Sequence, residues 1–281
     1  MNITRMDTLM QEARAQGRAV AAFECWDSSS IQAITIAAQR TGAPVIIQAS
    51  PPEYEYCGGA DALKAMVDWY TAKAGITAAL HLDHGSTLEQ VEECLRAGFS
   101  SVMLDGSRHP YERNLELTRA AAIMAHEYDA SAEGELGHVG GLEGDLEDED
   151  PGAAQTDPQQ ARAFAADTGV DCLAVAIGTV HGVYKGTPRI NLERLRDIAA
   201  AVPLPLVLHG GSGTPDDTLR ECIRLGVAKI NICTELQQAW TAGIAESVRT
   251  LAIGAPGRFY TPARERLIQV MVEKIRLFSL I

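Results

Sequence analysis

Two histidines and an aspartate fall within four residues in HLDHGS, residues 81–86, where the apolar run TAALHLDH ends. A neutral imidazole can ligate a metal or move a proton, and a carboxylate beside it can do the same. The pattern recurs along the chain. Glu133 and Glu135 lie in SAEGEL, His181 lies in GTVHG after CLAVAIG, His209 ends PLVLH, and Asn231 and Thr234 fall in AKINICT. His84, His181 and His209, with Asp83 beside the first, form the donor set of an open Zn²⁺ site that keeps one coordination position for substrate. A lone histidine at a strand end is more often a hydrogen-bonded structural group, so this reading requires a fold that brings the three together. His81, two residues before Asp83 and on the same strand face, is expected to orient the aspartate from within, whereas His109, His126 and His138 read as surface or loop residues.

A second constellation suits an anion. The stretches HGGSG, residues 209–213, and NICT, residues 231–234, each lead toward a helix. Glycines allow close backbone approach, and N–H groups at a helix start bind phosphate without any net positive charge. The alternative for GGSG is a flexible turn.

The elements that must position these residues follow one rhythm, a short apolar run and then a stretch of helical spacing. Strand candidates begin at Val20, Pro44, Thr77, Ser101, Ser131, Cys172, Pro205 and Ala228. Between them lie segments such as SSIQAITIAAQR and TLEQVEECLRAG, several opened by Ser, Thr or Asp and closed by Gly. Alternating strands and helices demand parallel pairing, and this number of units predicts an α/β fold of the (β/α)8 TIM barrel type, with a doubly wound open sheet as the alternative. The residues singled out then sit at the C-terminal strand ends, where such barrels carry catalysis, and loops after the seventh and eighth strands often hold phosphate. An amphipathic helix is expected before the first strand, from MNITRMDTLMQEARAQG, and a Pro-initiated extra helix at the C-terminus, packed outside the barrel. Residues 137–158, rich in Gly and acid and without hydrophobic period, read as a mobile active-site loop.

At 281 residues the chain fits one barrel domain, and 46% hydrophobic with 22% charged residues is enough apolar content for a large core. A formal net charge of −13 argues against a nucleic-acid or acidic-membrane partner, since those need basic patches. No run has the length of a membrane span and the N-terminus lacks a signal-type apolar stretch. The six cysteines show no paired spacing, which favours reduced thiols and a cytoplasmic protein.

The ordered stretches LHLDHG, VMLDGS, ELGHVGG, AIGTVHGVYKG, PLVLHGGSG and AKINICTEL resemble the class II, zinc-dependent ketose-bisphosphate aldolases, which include fructose- and tagatose-bisphosphate aldolases. The resemblance implies His84, His181 and His209 as zinc ligands, Glu135 as a conditional ligand, Asp83 as the catalytic acid and Glu143 as a proton-transfer residue. It further implies that Gly182, Lys185, Gly210, Gly211, Ser212, Asn231 and Thr234 hold dihydroxyacetone phosphate, with Ser50, Ile232 and Cys233 as further substrate contacts. A monovalent cation, Na⁺ or K⁺, near the phosphate and a homodimer or homotetramer are also implied. The implied reaction is reversible cleavage of a ketose phosphate or bisphosphate to dihydroxyacetone phosphate and an aldehyde through a metal-stabilised enediolate. Zn²⁺ would act as the Lewis acid, Glu143 as the base under a closed loop and Asp83 as proton donor to the new alkoxide.

Three places depart from the family pattern. Glu24 stands where many members have asparagine, Ser50 is followed by PPEYE, and Cys233 stands where others carry aspartate or a small residue. If Glu24, Glu53 and Glu55 faced the aldehyde they would repel a second phosphate unless an arginine from a neighbouring subunit intervened; the alternative is that they face solvent. Two rivals differ in class. A Schiff-base aldolase would need a buried strand-end lysine, for which Lys229 is the candidate, and an accessory subunit would bind sugar phosphate without turnover.

Overall fold

The computed structural model describes residues 3–140, 142–143, 146–147, 155–184, 186, 188–251 and 255–280. Eight parallel strands close into a barrel: β1 (Val20–Glu24), β2 (Val45–Ala49), β3 (Ala78–Gly85), β4 (Ser101–Leu104), β5 (Ser131–Leu136), β6 (Cys172–Val175), β7 (Leu206–Leu208) and β8 (Val227–Ile232). Each pairs with its neighbours in chain order and β8 pairs with β1, so the open-sheet alternative is excluded. All eight sequence-derived strands are present. Leu142–Glu143 and Leu146–Glu147 add a separate antiparallel pair.

The strands read as continuous apolar runs because both their faces are buried. Outward residues such as Phe23, Ile47, Leu80, Leu82, Leu173, Leu208, Ile230 and Ile232 pack with the helices in one large cluster. Inward residues at the N-terminal end are mostly small, among them Ala22, Ala79, Ala174 and Ala228, and they make room for the N-terminal helix Met6–Ala15. Met6, Leu9, Met10 and Ala13 of that helix close the barrel floor, each buried long side chain stabilising by roughly 1.5–3 kcal/mol. The floor is therefore apolar and closed, and chemistry is confined to the opposite mouth.

Helix ends follow sequence signals. Asp27 caps the helix Ser28–Thr41 through a reciprocal box with Ser30, and the left-handed Gly42 ends it. The prolines after β2 start the short helix Pro51–Tyr56, because proline fits the first helical turn, where its missing N–H costs nothing. The C-terminal helix Pro256–Phe278 buries Leu267, Met271, Ile275 and Phe278 in the outer cluster, packed outside the barrel as expected. Among the described residues no helix is long and apolar enough to cross a membrane. All six cysteines are free thiols.

Candidate active site

His84, His181 and His209 meet at the C-terminal mouth of the barrel. Their ring centroids lie 5.3 Å (His84 to His181), 4.6 Å (His84 to His209) and 5.9 Å (His181 to His209) apart. Each offers a ring nitrogen within 4.8 Å of the others.

Partners behind the rings fix which nitrogen faces the centre. Asp105 Oδ2 lies 2.9 Å from His84 Nδ1, and the other Asp105 oxygen accepts from the Ser107 N–H at 2.8 Å. Glu133 Oε1 lies 2.8 Å from His209 Nε2. The Val139 carbonyl accepts from His181 Nδ1 at 3.2 Å, while the Val139 N–H donates to Glu135 Oε1 at 3.2 Å. The opposite nitrogens, Nε2 of His84 and His181 and Nδ1 of His209, are the ones a metal would engage, an arrangement in which carboxylate and carbonyl acceptors orient metal-binding imidazoles.

The donor set fits a divalent cation. His209 Nδ1 and Glu135 Oε2 are buried 3.2 Å apart and neither makes a hydrogen bond, a costly state for two polar atoms unless a cation engages them. Three imidazoles and a carboxylate match a zinc coordination sphere. Without metal, burial lowers the His209 imidazole, but its contacts with Glu133 and Glu135 outweigh that and raise it to about 9.

Behind this centre lies a buried charged layer. Lys229 Nζ lies 2.8 Å from Glu133 Oε2 and 4.0 Å from Asp83 Oδ1. Burial would lower the Lys229 ammonium, yet Glu133 and Asp83 hold it above its ordinary value. Paired with Glu133 and Asp83 behind the histidine cluster, Lys229 does not line the cavity, and this geometry argues against it as the amine of a Schiff-base aldolase. His81 sits within the barrel, with Nδ1 2.9 Å from Ser101 Oγ and Nε2 3.6 Å from both Asp83 and Glu133. Burial and Lys229 lower its imidazole, so it is a neutral spacer beside the aspartate.

Asp83 lines the cavity beside the histidine cluster. Gln48 Nε2 donates to Oδ2 at 2.6 Å, and Asn231 Nδ2 donates to both oxygens at 3.2 and 3.3 Å. Burial would raise the carboxyl, but His84, His81, Lys229 and His209 hold it well below the usual carboxylate range. It is thus ionised and held rigidly by amides.

The cavity above has a volume of about 580 Å³. Its lining includes Ser50, Asp83, His181, Gly182, Gly210, Ser212, Asn231, Cys233 and Thr234, all among the site residues named from the sequence. Gly211 and Ile232 do not line it: the Gly211 N–H donates to the Asn231 carbonyl at 3.1 Å, and the Ile232 side chain joins the outer core. The Gly210 backbone, at φ 64, comes so close to the next loop that a Cβ there would lie 2.5 Å from the Val180 carbonyl oxygen. Tyr184 ties these loops, its hydroxyl 3.2 Å from the Gly210 carbonyl and from Thr214 Oγ1. Lys185 and the Glu143 side chain lie outside the described residues, as does much of the expected loop, residues 148–154.

Sequence reasoning gave no role to Gln48, Asp105 or Tyr184. Asp105 sits in VMLDGS at the fourth strand end, which is the signal that would have found it; Gln48, one position before the β2 end, carries no such signal. Of the acids at the departures, Glu24 is buried, Glu53 is half-buried in the cavity wall and Glu55 is exposed, so the solvent-facing alternative holds for Glu55 alone.

A closed parallel barrel with a three-histidine, one-carboxylate cluster at its C-terminal mouth has the architecture of a TIM-barrel enzyme with a candidate metal site. The family model described as fructose-bisphosphate aldolase class-II matches residues 4–280, and the chain belongs to that family. It is an aldolase, a carbon–carbon lyase. Among solved structures, the YdjI aldolase from Escherichia coli K12 is 32% identical with a TM-score of 0.86, covering 98% of this chain and 97% of that one. A putative fructose-1,6-biphosphate aldolase from Coccidioides immitis is 28% identical with a TM-score of 0.88, over 99% and 97% of the two chains. The fructose-bisphosphate aldolase from Campylobacter jejuni, at 24% identity and a TM-score of 0.84 over 100% and 96%, shares the fold.

Proposed function

We propose that this aldolase uses Zn²⁺ to cleave a ketose phosphate reversibly into dihydroxyacetone phosphate and an aldehyde. The observation that carries this reading is the juxtaposition of an amide-held Asp83 with the His84, His181, His209 and Glu135 donor set at one cavity mouth. Bound there, zinc supplies a Lewis acid that stabilises negative charge developing on the substrate oxygens.

The residues of the chain supply the rest. In cleavage, Asp83 takes the proton of the C4 hydroxyl as the C3–C4 bond breaks, and the electron pair of that bond stays on the dihydroxyacetone phosphate half. The new C=O belongs to the departing aldehyde. In condensation the same carboxyl returns the proton to the developing alkoxide. Gln48 and Asn231 hold both Asp83 oxygens in place, so little reorganisation is needed for the transfer. Proton delivery to C3 is assigned to Glu143 on family resemblance. Gly210 and Ser212 after β7, Gly182 after β6 and Thr234 at the start of the helix Thr234–Thr250 line the cavity beyond β6 to β8 and are assigned to the phosphate. Resemblance also puts a monovalent cation beside that phosphate.

The test is hydrogen exchange at C3 of dihydroxyacetone phosphate in deuterated water, followed by NMR, with no aldehyde present. Exchange that stops on chelation and returns with zinc is the expected result. Exchange undiminished by exhaustive chelation would exclude the metal-dependent mechanism, and no exchange with zinc restored would exclude the donor assignment.

A further inference from the structure

Resting on that donor assignment, the loops after β4 and β5 show how the groups that orient different metal ligands are held together. The last pair in register between β4 and β5 is Met103 with Glu133. Beyond it, side chains make the connection: His138 Nδ1 lies 3.0 Å from Ser107 Oγ. Both residues are half-buried, and Gly137, at φ 81, makes the turn between β5 and His138. Either tautomer of the imidazole can form this bond, as acceptor from the Ser107 hydroxyl or as donor to it.

Each partner in the contact adjoins a group that orients a metal ligand. On the β4 side, the Ser107 N–H donates to Asp105 Oδ1 at 2.8 Å, and Asp105 Oδ2 lies 2.9 Å from His84 Nδ1. On the β5 side, Val139 follows His138 directly. Its N–H donates to Glu135 Oε1 at 3.2 Å, and its carbonyl accepts from His181 Nδ1 at 3.2 Å. The next carbonyl, that of Gly140, accepts from the His181 N–H at 2.8 Å. One short segment, residues 139–140, therefore aims both His181 and Glu135. The Glu135 backbone is fixed separately, since its carbonyl accepts from Asn114 Nδ2 at 2.8 Å, which leaves the Val139 peptide as the part to be located. The His138 contact locates it by tying residue 138 to the loop that holds Asp105. A working site keeps its ligands to within about 0.5 Å, and residues on loops reach that only when supporting side chains pin them.

We propose that Ser107 and His138 are a positioning pair, whose contact across two loops holds the Val139 peptide where it aims His181 and Glu135 at the metal, and so sets metal affinity. His138 acts through Val139, and neither member of the pair is assigned to the metal or the substrate.

The experiment measures zinc affinity of the full chain at constant neutral pH by competition with a chromogenic chelator. Visible absorption of the Co²⁺-loaded forms reports ligand geometry, and urea unfolding of the metal-free forms reports stability. His138→Leu removes the polar atom while keeping a branched side chain, and affinity should fall about tenfold, the low end for loss of an orienting partner. His138→Asn places an amide where Nδ1 stood and should stay within about threefold of wild type. Ser107→Ala should match His138→Leu, and the double variant should be no weaker than either alone, because all three lose the same bond. The cobalt bands should shift in the Leu and Ala variants and stay in place in His138→Asn, with metal-free stability close to wild type throughout. Unchanged affinity in both single variants, equal losses in His138→Asn and His138→Leu, or additive losses in the double variant would each overturn the pairing, as would an affinity loss that only follows lost stability. A wild-type chain without zinc affinity overturns the donor assignment instead. If His138→Leu fails to fold, Ser107→Ala against Ser107→Thr, which keeps the hydroxyl, decides the same question.

Discussion

Asp83 and His84 are consecutive in the chain, yet both side chains face the same cavity mouth, with Asp83 Oδ2 3.8 Å from His84 Nε2. A regular strand would send them to opposite faces. His84 has φ 48, a left-handed conformation rare for a side chain of its size, and the β3 to β4 register shifts between Leu82 and Gly85 at the same place. The next residue must be small, because a Cβ on Gly85 would lie 2.8 Å from the Met103 carbonyl oxygen. The backbone strain thus serves to put the proton-transfer carboxylate and a metal-binding imidazole on one side of one strand.

That adjacency makes the two residues separable by experiment. Asp83→Asn keeps the shape and the histidine cluster but removes the proton acceptor, so kcat for cleavage should fall by about 10²-fold or more. Zinc content, read by elemental analysis after dialysis, should stay at the wild-type ratio. A near-normal rate would remove Asp83 from the proton-transfer step.

How much of this was legible beforehand divides along the distance over which the signal acts. The barrel could be read because each strand is an apolar run long enough to bury both faces, and the three histidines because His84 and His209 end such runs and His181 follows one. The phosphate loops were legible from glycine spacing next to a predicted helix start. The orienting partners were not, since Glu133 and His209 are 76 residues apart and Gln48 and Asp83 are 35 apart. Those pairings exist only once the barrel closes. The meaning of Glu24 was hidden for the same reason: its sequence position allowed an acid facing solvent, while the closed barrel buries it against Ser50 and Gln48.

Glu133 offers a test of the layer behind the metal. Its Oε1 holds His209 Nε2 while its Oε2 holds Lys229 Nζ, and the pair with Lys229 together with His209 keeps its carboxyl below the usual range despite burial. Glu133→Gln keeps an acceptor but weakens the hold on the imidazole. Zinc affinity, measured by competition with a chromogenic chelator, should fall roughly 10–100-fold. Unchanged affinity would mean that Glu133 serves stability alone.

Lys229 discriminates the metal-dependent from the Schiff-base route. Lys229→Met leaves Glu133 buried without its cation, so unfolding in urea should show a loss of roughly 3–5 kcal/mol. The double variant Lys229→Met with Glu133→Gln should recover part of it, since the uncompensated charge is gone. Borohydride added to wild-type enzyme with dihydroxyacetone phosphate should leave the protein mass unchanged. A reduced adduct on Lys229 would restore the Schiff-base mechanism.

The apolar floor carries the pH dependence of stability that can be separated from the metal centre. Asp7, in the first turn of the helix Met6–Ala15, lies 3.0 Å from Arg5 Nε and accepts from Ser131 Oγ at 2.9 Å, where β5 begins. Burial would raise its carboxyl, but the Arg5 and Ser131 contacts outweigh that and lower it. A group depressed in the folded state binds fewer protons there than when unfolded. Its stabilisation is therefore full above the unfolded value of about 3.9 and is lost as pH falls through the lower folded value. Asp7→Asn should cost roughly 1–2 kcal/mol at neutral pH, from the charge-assisted bonds it weakens, and much less at acid pH. Urea unfolding of apo protein at pH 7 and pH 3, wild type against variant, checks this, and equal differences at both pH values would show that Asp7 contributes through packing rather than charge.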